Sequence, residues 1–389
     1  MTRLAEALRA LAVALTAFFC LAAFAQMPAP PEIAARSYVL IDLTAGQTLA
    51  QKDADSPTEP ASLTKLMSAY LVFDALKAQK ITLAQTLPVS TRAWKMPGAR
   101  MSIDPQMQVP VDDLIQGLLV QSGNDAAVAL AEGVGGSVEH FVALMNEQAK
   151  ALGMKNTVFR NPEGLSAPGQ TTTARDLGIL AGRLVHDFPA YQRFFAIRKY
   201  RLPGTPSTND TNRNLLLFRD PTVDGLMTGH TDAAGYGMAV TARRDFPNLA
   251  GGRRLIAIVL GAASENARAN ESQKLLNWGF TAYDDVRLFD AGQPVAAPPV
   301  WKGTEGTVRL GRTEPIVVAV PAGSAGKLRT ELVRPDPLVA PFARLQPVGS
   351  LKVSLDDQPV NEVPLVALDA VPQAGAVARA WDAVRLWIK

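Results

Sequence analysis

The apolar run from Leu63 to Leu76 constrains the fold of this chain most, because it contains no glycine and no proline. Such a run predicts a helix buried in the core of a domain. Ser62 stands at its head, directly after the turn sequence Ser56-Pro57-Thr58-Glu59-Pro60. Ser62 and Lys65 are one helical turn apart, so we expect the hydroxyl and the amine to touch.

This pair has a chemical interpretation and a structural one. A serine hydroxyl is a poor nucleophile until a neighbouring base removes its proton, and a lysine serves as that base when burial or nearby positive charge lowers its pKa. Ser-x-x-Lys also occurs by chance, and taken alone it favours the structural interpretation, an ordinary helix start. The rest of the chain must therefore decide between the two.

Composition restricts the class of protein. The chain has 389 residues, of which 48% are hydrophobic and 19% charged, which is typical of a globular protein with room for more than one domain. The net charge is only +3, and no basic tract is dense enough to indicate nucleic-acid binding. We therefore expect no nucleic-acid partner.

Residues 1–25 are predicted to be a secretory signal peptide. Arg3 and Arg9 precede an apolar segment, Leu11 to Ala23, and Ala23-Phe24-Ala25 has the small-x-small pattern of a cleavage site, so the mature chain begins near Gln26. The alternative is a transmembrane anchor, for which the segment is short. The only cysteine, Cys20, lies in this segment, so the mature protein has no disulfide and depends on its core.

Residues 26–283 are predicted to form one α+β domain. Helical segments lie between strands near both ends of it. Gly279 is expected to end the last helix, and Thr171 or Thr172 to cap the helix Thr173–Val185. The predicted strands are Ser37–Asp42, Thr48–Gln51, Met238–Thr241 and Arg254–Leu260. The predicted helices are Leu63–Leu76, Val109–Leu119, Asn124–Gly133, Phe141–Leu152, Thr173–Val185 and Asn266–Trp278.

The remaining chain has a different pattern. Residues 284–372 lose helical periodicity, and short alternating runs separated by glycine and proline predict a small all-β domain, with strands at Thr307–Leu310, Pro315–Val320 and Ser350–Val353. Residues 373–389 are helical again. Their apolar residues recur at steps of three and four, Trp387 lies alongside, and basic residues flank them; the recurring residues are Val377, Trp381, Val384 and Ile388. This pattern predicts an amphipathic helix at a membrane surface, the alternative being a helix packed on the β domain.

Two further motifs follow the first. Ser122-Gly123-Asn124 lies at a break between two apolar helices, where a buried hydroxyl and amide need partners. About a hundred residues later comes Val223-Asp224-Gly225-Leu226-Met227-Thr228-Gly229-His230-Thr231, in which the Thr228-Gly229 pair allows a substrate backbone to approach closely.

The order Ser-x-x-Lys, Ser-x-Asn, x-Thr-Gly resembles that of the penicilloyl serine transferases. The chain is similar to a low-molecular-mass penicillin-binding protein, a D-alanyl-D-alanine carboxypeptidase. The resemblance extends over nearly the whole chain and implies a β-lactamase/transpeptidase-like serine peptidase domain, then a small all-β domain and a C-terminal amphipathic helix. It also implies a location in the bacterial periplasm, attached peripherally to the outer face of the inner membrane.

The resemblance assigns a role to each motif residue. Ser62 attacks the carbonyl between the two terminal D-alanines of a peptidoglycan stem peptide, with Lys65 as general base. Ser122 relays the proton to the leaving amine, Asn124 holds Lys65 and the substrate amide, and the backbone N–H groups of Ser62 and His230 form the oxyanion hole. β-Lactam antibiotics are the expected covalent inhibitors, and the chemistry needs no metal or other cofactor.

Met227 departs from the family pattern. The third motif is Lys-Thr-Gly in the family and Met227-Thr228-Gly229 here, so a cation beside Ser122 and the substrate carboxylate is missing. Losing one charge-assisted contact costs a few kcal/mol, or about a hundredfold in rate. Two hypotheses follow: an enzyme in which Arg213, His230 or Thr231 binds the carboxylate, or a weak or inactive homologue that acts as a peptidoglycan-binding scaffold.

Other hydrolases fit less well. A class A β-lactamase carries a Glu-x-x-Leu-Asn segment that we do not find; Glu163 lies in about the right region but in Asn161-Pro162-Glu163-Gly164-Leu165. A Ser-His-Asp hydrolase is disfavoured because the chain has three histidines and no Gly-x-Ser-x-Gly motif. His140 and His186 lie in helical segments, and we place only His230 in the site.

Overall fold

The computed structural model describes residues 27–206, 208–247 and 249–388. The predicted signal peptide, residues 1–25, lies outside these residues. The chain forms two compact units, one made of Pro30–Arg287 with Val317–Ala319, the other containing Leu288–Ile316 and the residues from Val320 onward. The domain boundaries predicted after residues 283 and 372 remain predictions.

A five-stranded antiparallel sheet forms the centre of the first unit. Its strand order is β2-β1-β7-β6-β5, so the first hairpin of the chain pairs with β7, the strand of this sheet that comes last in the sequence. These strands are β1 Ser37–Asp42, β2 Gln47–Lys52, β5 Val223–Thr231, β6 Gly235–Phe246 and β7 Leu249–Ala262. A separate short pair consists of β3 Thr86–Pro88 and β4 Gln108–Pro110.

Both faces of this sheet are buried. Successive residues of β7 point to opposite faces. Ile256 and Ile258 belong to the larger core with the helical layer, and Leu255 and Ala257 belong to a second core with the last helix of the unit. This accounts for the nearly continuous apolar sequence of β7, as expected of a strand covered on both sides.

The helical layer carries the first motif. Its central helix, α1 Lys65–Lys77, is buried along most of its length, which explains why its sequence is apolar without a clear stripe. The other helices of the unit are α2 Thr91–Trp94, α3 Val111–Leu119, α4 Asn124–Gly135, α5 Val138–Leu152, α6 Ala174–Asp187, α7 Leu216–Arg219 and α8 Glu265–Ala282, with a 3₁₀ segment at Pro189–Ala196.

Several predicted helix ends were wrong, each for a local reason. Ser62 lies in a 3₁₀ turn, Ala61–Thr64, and the α-helix begins only at Lys65. The helix predicted from Val109, α3, starts at Val111 because residues 108–110 pair as β4. Thr173, not Thr171 or Thr172, caps α6, its side chain accepting from the N–H of Asp176.

Gly279 does not end α8, which continues to Ala282. A Cβ at this position would lie 2.6 Å from Leu40 Cδ2 and 2.8 Å from Leu255 Cδ1. The glycine therefore allows the helix to pack closely on the sheet, and it is a packing residue rather than a cap. Residues 223–231, to which the sequence analysis assigned no strand, form the edge strand β5, with Met227 opposite Ala239 of β6.

The second unit is mostly strands, as predicted, although the predicted strand at Thr307–Leu310 shortens to Leu310–Gly311. Its main sheet has the order β13-β15-β16-β11-β9 around a core that includes Leu351, Val353 and Leu365. The strands of this part of the chain are β8 Tyr283–Phe289, β9 Pro294–Ala296, β10 Val300–Trp301, β11 Leu310–Gly311, β12 Ile316–Pro321, β13 Leu328–Val333, β14 Leu338–Val339, β15 Pro347–Leu355 and β16 Gln358–Ala367, with a 3₁₀ turn at Ala325–Lys327.

The last helix, α9 Ala376–Ile388, belongs to the second unit and contacts the region of β10 through polar side chains. Asp382 Oδ2 accepts a hydrogen bond from the backbone N–H of Lys302, and the guanidinium of Arg385 lies 5.5 Å from the centre of the Trp301 ring. Trp381 and Trp387 are 65% and 88% exposed. In the described part of the chain, no single helix has the length and apolar composition to cross a membrane; α4 and α5 pass that test only together, across a bend of 84°.

Candidate active site

The structure places Ser62 and Lys65 in contact. Lys65 Nζ lies 3.1 Å from Ser62 Oγ, although the turn between them is 3₁₀ rather than α. Ala61, directly before Ser62, has a positive φ of 48°, an uncommon conformation for a residue with a side chain. Such backbone is held in place only where its surroundings fix it, and it is frequent at functional sites.

Lys65 is fully buried, and its amine is surrounded by oxygen atoms. Besides Ser62 Oγ, Nζ lies 2.7 Å from Asn124 Oδ1 and 2.6 Å from the carbonyl oxygen of Glu163. Burial lowers the pKa of Lys65 to about 7; the charges of Glu163 and Asp125 oppose this shift, and that of Arg213 adds to it. A substantial fraction of the amine is therefore neutral near pH 7, as a general base requires.

The second motif is held by a loop that precedes α3. The Asn124 side chain donates 2.7 Å to the carbonyl oxygen of Pro97, which fixes its own oxygen towards Lys65. The next residue, Asp125, is buried and accepts from the backbone N–H groups of Met101 and Ser102. These bonds join the Pro97–Ser102 segment to the start of α4.

Ser122 is buried and lies two residues before Asn124, in the break between α3 and α4. Its φ of 56° is positive, so its backbone departs from the helical path on both sides. The sequence analysis predicted this break between two helices. The turn places Ser122 and Gly123 directly before Asn124, the first residue of α4.

The third motif runs along β5 beside the Ser62 turn. A Cβ at Gly229 would lie 3.2 Å from the backbone nitrogens of both Ser62 and Leu63. The N–H of Leu63 donates to the carbonyl oxygen of Pro60, at 3.1 Å. A side chain at position 229 would crowd the N–H of Ser62, and glycine leaves space beside it for a ligand. Thr228 is buried next to it, and the exposed His230 ring stacks on Tyr236 with 4.0 Å between ring centres.

The Glu163-Gly164 loop closes the other side of the lysine. Gly164 has a φ of +90°, and a Cβ there would lie 1.9 Å from the carbonyl oxygen of Ala61. Only glycine fits, so this loop packs directly against the nucleophile turn. The Glu163 side chain is itself buried, and burial raises the pKa of its carboxyl group.

Comparison with known proteins identifies this arrangement. A family model described as D-alanyl-D-alanine carboxypeptidase (Peptidase_S11) matches residues 24–264, and one described as penicillin-binding protein 5, C-terminal domain, matches residues 283–373. The chain belongs to the D-alanyl-D-alanine carboxypeptidase family. The predicted resemblance and fold class are thereby confirmed.

Relatives of known structure and name cover most of the chain. It is 39% identical to D-alanyl-D-alanine carboxypeptidase DacC of Escherichia coli K12, over 99% of this chain and 97% of that protein. Penicillin-binding protein 5 from Haemophilus influenzae has a TM-score of 0.82 and 33% identity, over 89% of this chain and 100% of that one. Penicillin-binding protein D2 from Listeria monocytogenes, solved in an ampicillin-bound form, has a TM-score of 0.58 and 30% identity, covering 65% of this chain and 100% of that one.

In this member of the family, Met227 is only 3% exposed and is part of the larger core. It alternates along β5 with Thr228, so it shares a face of the strand with Gly229 and points towards the helical layer. The thioether thus occupies a buried position beside the site without supplying a charge.

Two arginines supply positive charge near the cleft. Arg213 is exposed, and its charge lowers the pKa of Lys65 and adds to the lowering of the pKa of Arg268 that burial causes. The sequence analysis missed Arg268. This side chain of α8 is buried, donates 3.1 Å to the carbonyl oxygen of Gly229 and lies over the Tyr236 ring. A charged residue on the buried face of α8 was the available signal.

Thr231 is engaged elsewhere. Its hydroxyl donates 2.8 Å to Glu59 Oε2 and accepts from the N–H of Ala234, so its hydrogen is already used in this structure. Thr231 was one of three alternatives for binding the substrate carboxylate. His140 and His186 lie on α5 and α6, and His186 pairs with Asp187. Of the three residues proposed to replace the missing lysine, Arg213 is the one with the right charge.

Proposed function

We propose that this protein is a serine-type D-Ala-D-Ala carboxypeptidase that removes the terminal D-alanine from peptidoglycan stem peptides. The observation that carries the proposal is the 3.1 Å contact between Ser62 Oγ and the fully buried Lys65 Nζ, whose pKa burial lowers to about 7. Family membership supports the substrate class, since the relatives are named for this activity.

The contact between Ser62 and Lys65 supports the first of the following steps, and resemblance to the family supports the others. Ser62 Oγ bonds to the carbonyl carbon of the penultimate D-alanine while its proton moves to Lys65 Nζ, and backbone N–H groups stabilise the oxyanion. The C–N bond then breaks, and the departing D-alanine nitrogen receives a proton through Ser122. Water, giving its proton to Lys65, attacks the ester carbonyl, and Ser62 leaves with a proton restored to its oxygen.

Asn124 holds the lysine in this scheme. Its side-chain oxygen accepts from Lys65, and its nitrogen is held by Pro97, so the amide orientation is fixed by both contacts. Thr228, Gly229 and His230 belong to β5, along which the substrate lies beside the nucleophile. Gly229 leaves room there for a peptide or a β-lactam. β-Lactams, which resemble the scissile peptide, acylate Ser62, and the ester that they form with it is hydrolysed slowly.

Carboxylate recognition is the step that Met227 changes. We assign the substrate carboxylate to Arg213, supported by its charge and by its effect on the pKa of Lys65, with Arg268 adding positive charge from the buried side. A flexible, exposed arginine is less fixed than a buried lysine, so we expect a rate about tenfold to a hundredfold below that of a Lys-Thr-Gly enzyme.

Met227 also favours a second function. If Arg213 does not replace the missing cation, the folded site still binds stem peptides, and the protein acts as a peptidoglycan-binding scaffold. The two functions differ in turnover, since a scaffold retains peptide affinity without releasing D-alanine.

Release of D-alanine from a peptide ending in D-Ala-D-Ala separates them. The leaderless protein, Met227→Lys, Arg213→Gln and Ser62→Ala are compared at equal concentration. The enzyme proposal expects release by the natural protein, more by Met227→Lys, less by Arg213→Gln and none by Ser62→Ala. Release by Met227→Lys alone, with peptide binding retained by the natural protein, supports the scaffold.

We also propose that the protein is exported to the periplasm and attached to the membrane surface through α9. The support is the row of exposed apolar side chains on this helix, Val377, Trp381, Val384 and Trp387, with basic residues beside them. Trp side chains are favourable at a membrane–water interface, and cations attract anionic lipid headgroups.

A further inference from the structure

Glu59 occupies a position that the catalytic scheme does not use. It is half-buried, three residues before Ser62, and a single carboxylate oxygen, Oε2, accepts two hydrogen bonds. The donors are the hydroxyl of Ser166 at 2.8 Å and the hydroxyl of Thr231 at 2.8 Å, which are 107 and 172 residues away in sequence. An acid that serves only to solubilise a turn needs no such partners.

Each donor belongs to a segment that touches the nucleophile turn. Ser166 lies two residues after Gly164, which packs on the carbonyl of Ala61, and three after Glu163, whose carbonyl accepts from Lys65. Thr231 lies two residues after Gly229, which borders the N–H of Ser62. Glu59 thus joins the three segments that carry the nucleophile, a carbonyl partner of the base and the substrate strand.

The direction of the Thr231 bond is fixed by its surroundings. The Thr231 oxygen accepts from the N–H of Ala234, at 3.0 Å, so its own hydrogen is directed to Glu59. A carboxylate accepts such bonds strongly because it is charged. We call the two hydrogen bonds that Glu59 Oε2 accepts the Glu59 tie. Its bond from Thr231 holds the end of β5 where the strand leaves the site.

We propose that Glu59 is a positioning residue that holds the Ser62 turn against the Glu163 loop and β5, so that Ser62 Oγ and the Ser62 N–H beside Gly229 face the same substrate carbonyl. The role rests on the proposed function of Ser62. Reaction rates fall steeply when reacting groups are displaced by about 1 Å, so loss of the tie slows acylation more than it weakens binding.

Two substitutions at Glu59 test this. Glu59→Ala removes both accepted bonds, whereas Glu59→Gln keeps a side-chain oxygen that accepts them. We expect the rate of acylation by a penicillin, measured as mass increase against time, to fall about tenfold or more in Glu59→Ala with a small change in the penicillin concentration for half-maximal rate. Glu59→Gln should restore most of the rate. Glu147→Ala, an exposed acid on α5, is the control and should acylate as the natural protein does.

Combining the Glu59 variants with a substitution of its hydrogen-bond donor Thr231 tests whether the two residues act together. Thr231→Val should slow acylation in the natural protein but add little to Glu59→Ala, because the bond it removes is already lost. Equal acylation of Glu59→Ala and the natural protein overturns the proposal, as does a Glu59→Gln variant as slow as Glu59→Ala or full additivity with Thr231→Val.

Acylation of the natural protein separates a failure of the proposed function of Ser62 from a failure of the proposed role of Glu59. If it is not acylated, the same series is run on Met227→Lys. If that protein is also unreactive, amide hydrogen exchange tests whether Glu59 holds the two segments in place. Glu59→Ala must then increase exchange in both residues 164–172 and residues 229–236, whereas Glu59→Gln and Glu147→Ala leave it unchanged. An unchanged pattern in Glu59→Ala rejects the tie.

Discussion

Lys65 is the residue on which the chemistry of the site depends. Its amine has three oxygen neighbours, from Ser62, Asn124 and Glu163, and it is completely buried. As an ammonium it donates to all three, and as a neutral amine it accepts the proton of Ser62. Burial places the exchange between these two states near pH 7.

This predicts the pH dependence of acylation. Only the neutral amine acts as a base, and burial lowers the pKa of Lys65 to about 7. The rate of acylation should therefore rise about tenfold per pH unit below this value and level off above it. Stopped-flow or mass measurements of acylation across about pH 5 to 9 test this, with protein folding checked by circular dichroism at each pH. A rate that is constant over the acidic half of this range contradicts the assignment of Lys65 as base.

At the residue scale the sequence predicted part of this site. The spacing of Ser62 and Lys65 predicted their contact, since it depends on local helical geometry alone. The carbonyl of Glu163 was not predictable, because a backbone oxygen 98 residues away leaves no sequence pattern. Arg268 was missed for a related reason: its partner is the backbone of Gly229.

At the scale of elements, a buried ionic cluster joins β1, β7 and the start of β8. Arg253 is fully buried; its Nε donates to Asp42 at 2.7 Å and lies 2.9 Å from Asp285 Oδ1, while Nη1 donates to the carbonyls of Gly279 and Tyr283. Burial and the neighbouring Asp42 carboxylate raise the pKa of Asp285, so one arginine and one charged aspartate balance each other. No sequence pattern indicated this cluster, because its members are far apart in the chain.

Removing the arginine should therefore be costly. Arg253→Met leaves the buried Asp42 charge without its partner and should lower the free energy of unfolding by about 3–5 kcal/mol, measured by urea unfolding. Asp285→Asn resembles the protonated aspartate and should change stability little near neutral pH. A loss as large in Asp285→Asn as in Arg253→Met contradicts this charge assignment.

Element boundaries show where sequence patterns fail. Gly279 has the sequence position of a helix end, but it is needed for contact with Leu40 and Leu255, and tertiary packing decides its role. β5 escaped prediction because the third motif interrupts its apolar pattern with Thr228, Gly229 and His230. Polar and small residues that serve a site thus remove the apolar pattern from which an edge strand would be predicted.

At the scale of the whole molecule, the exposed face of α9 predicts membrane binding. Polar contacts from Asp382 and Arg385 to the β10 region leave Trp381 and Trp387 exposed. The full-length mature protein should sediment with vesicles containing anionic lipid, and Trp381→Ala with Trp387→Ala should reduce the bound fraction strongly. Phe218→Ala, which removes an exposed aromatic from α7, is the control. Equal sedimentation of all three proteins contradicts the proposed anchor.

The central claim is that Ser62 is an activated nucleophile although the third motif carries Met227. Intact-mass analysis of the leaderless protein after incubation with a penicillin tests it most directly, beside Ser62→Ala and Met227→Lys. We predict a mass increase of one penicillin molecule on the natural protein, a faster increase on Met227→Lys and none on Ser62→Ala. An adduct that persists in Ser62→Ala, or no adduct on either the natural protein or Met227→Lys, contradicts the claim.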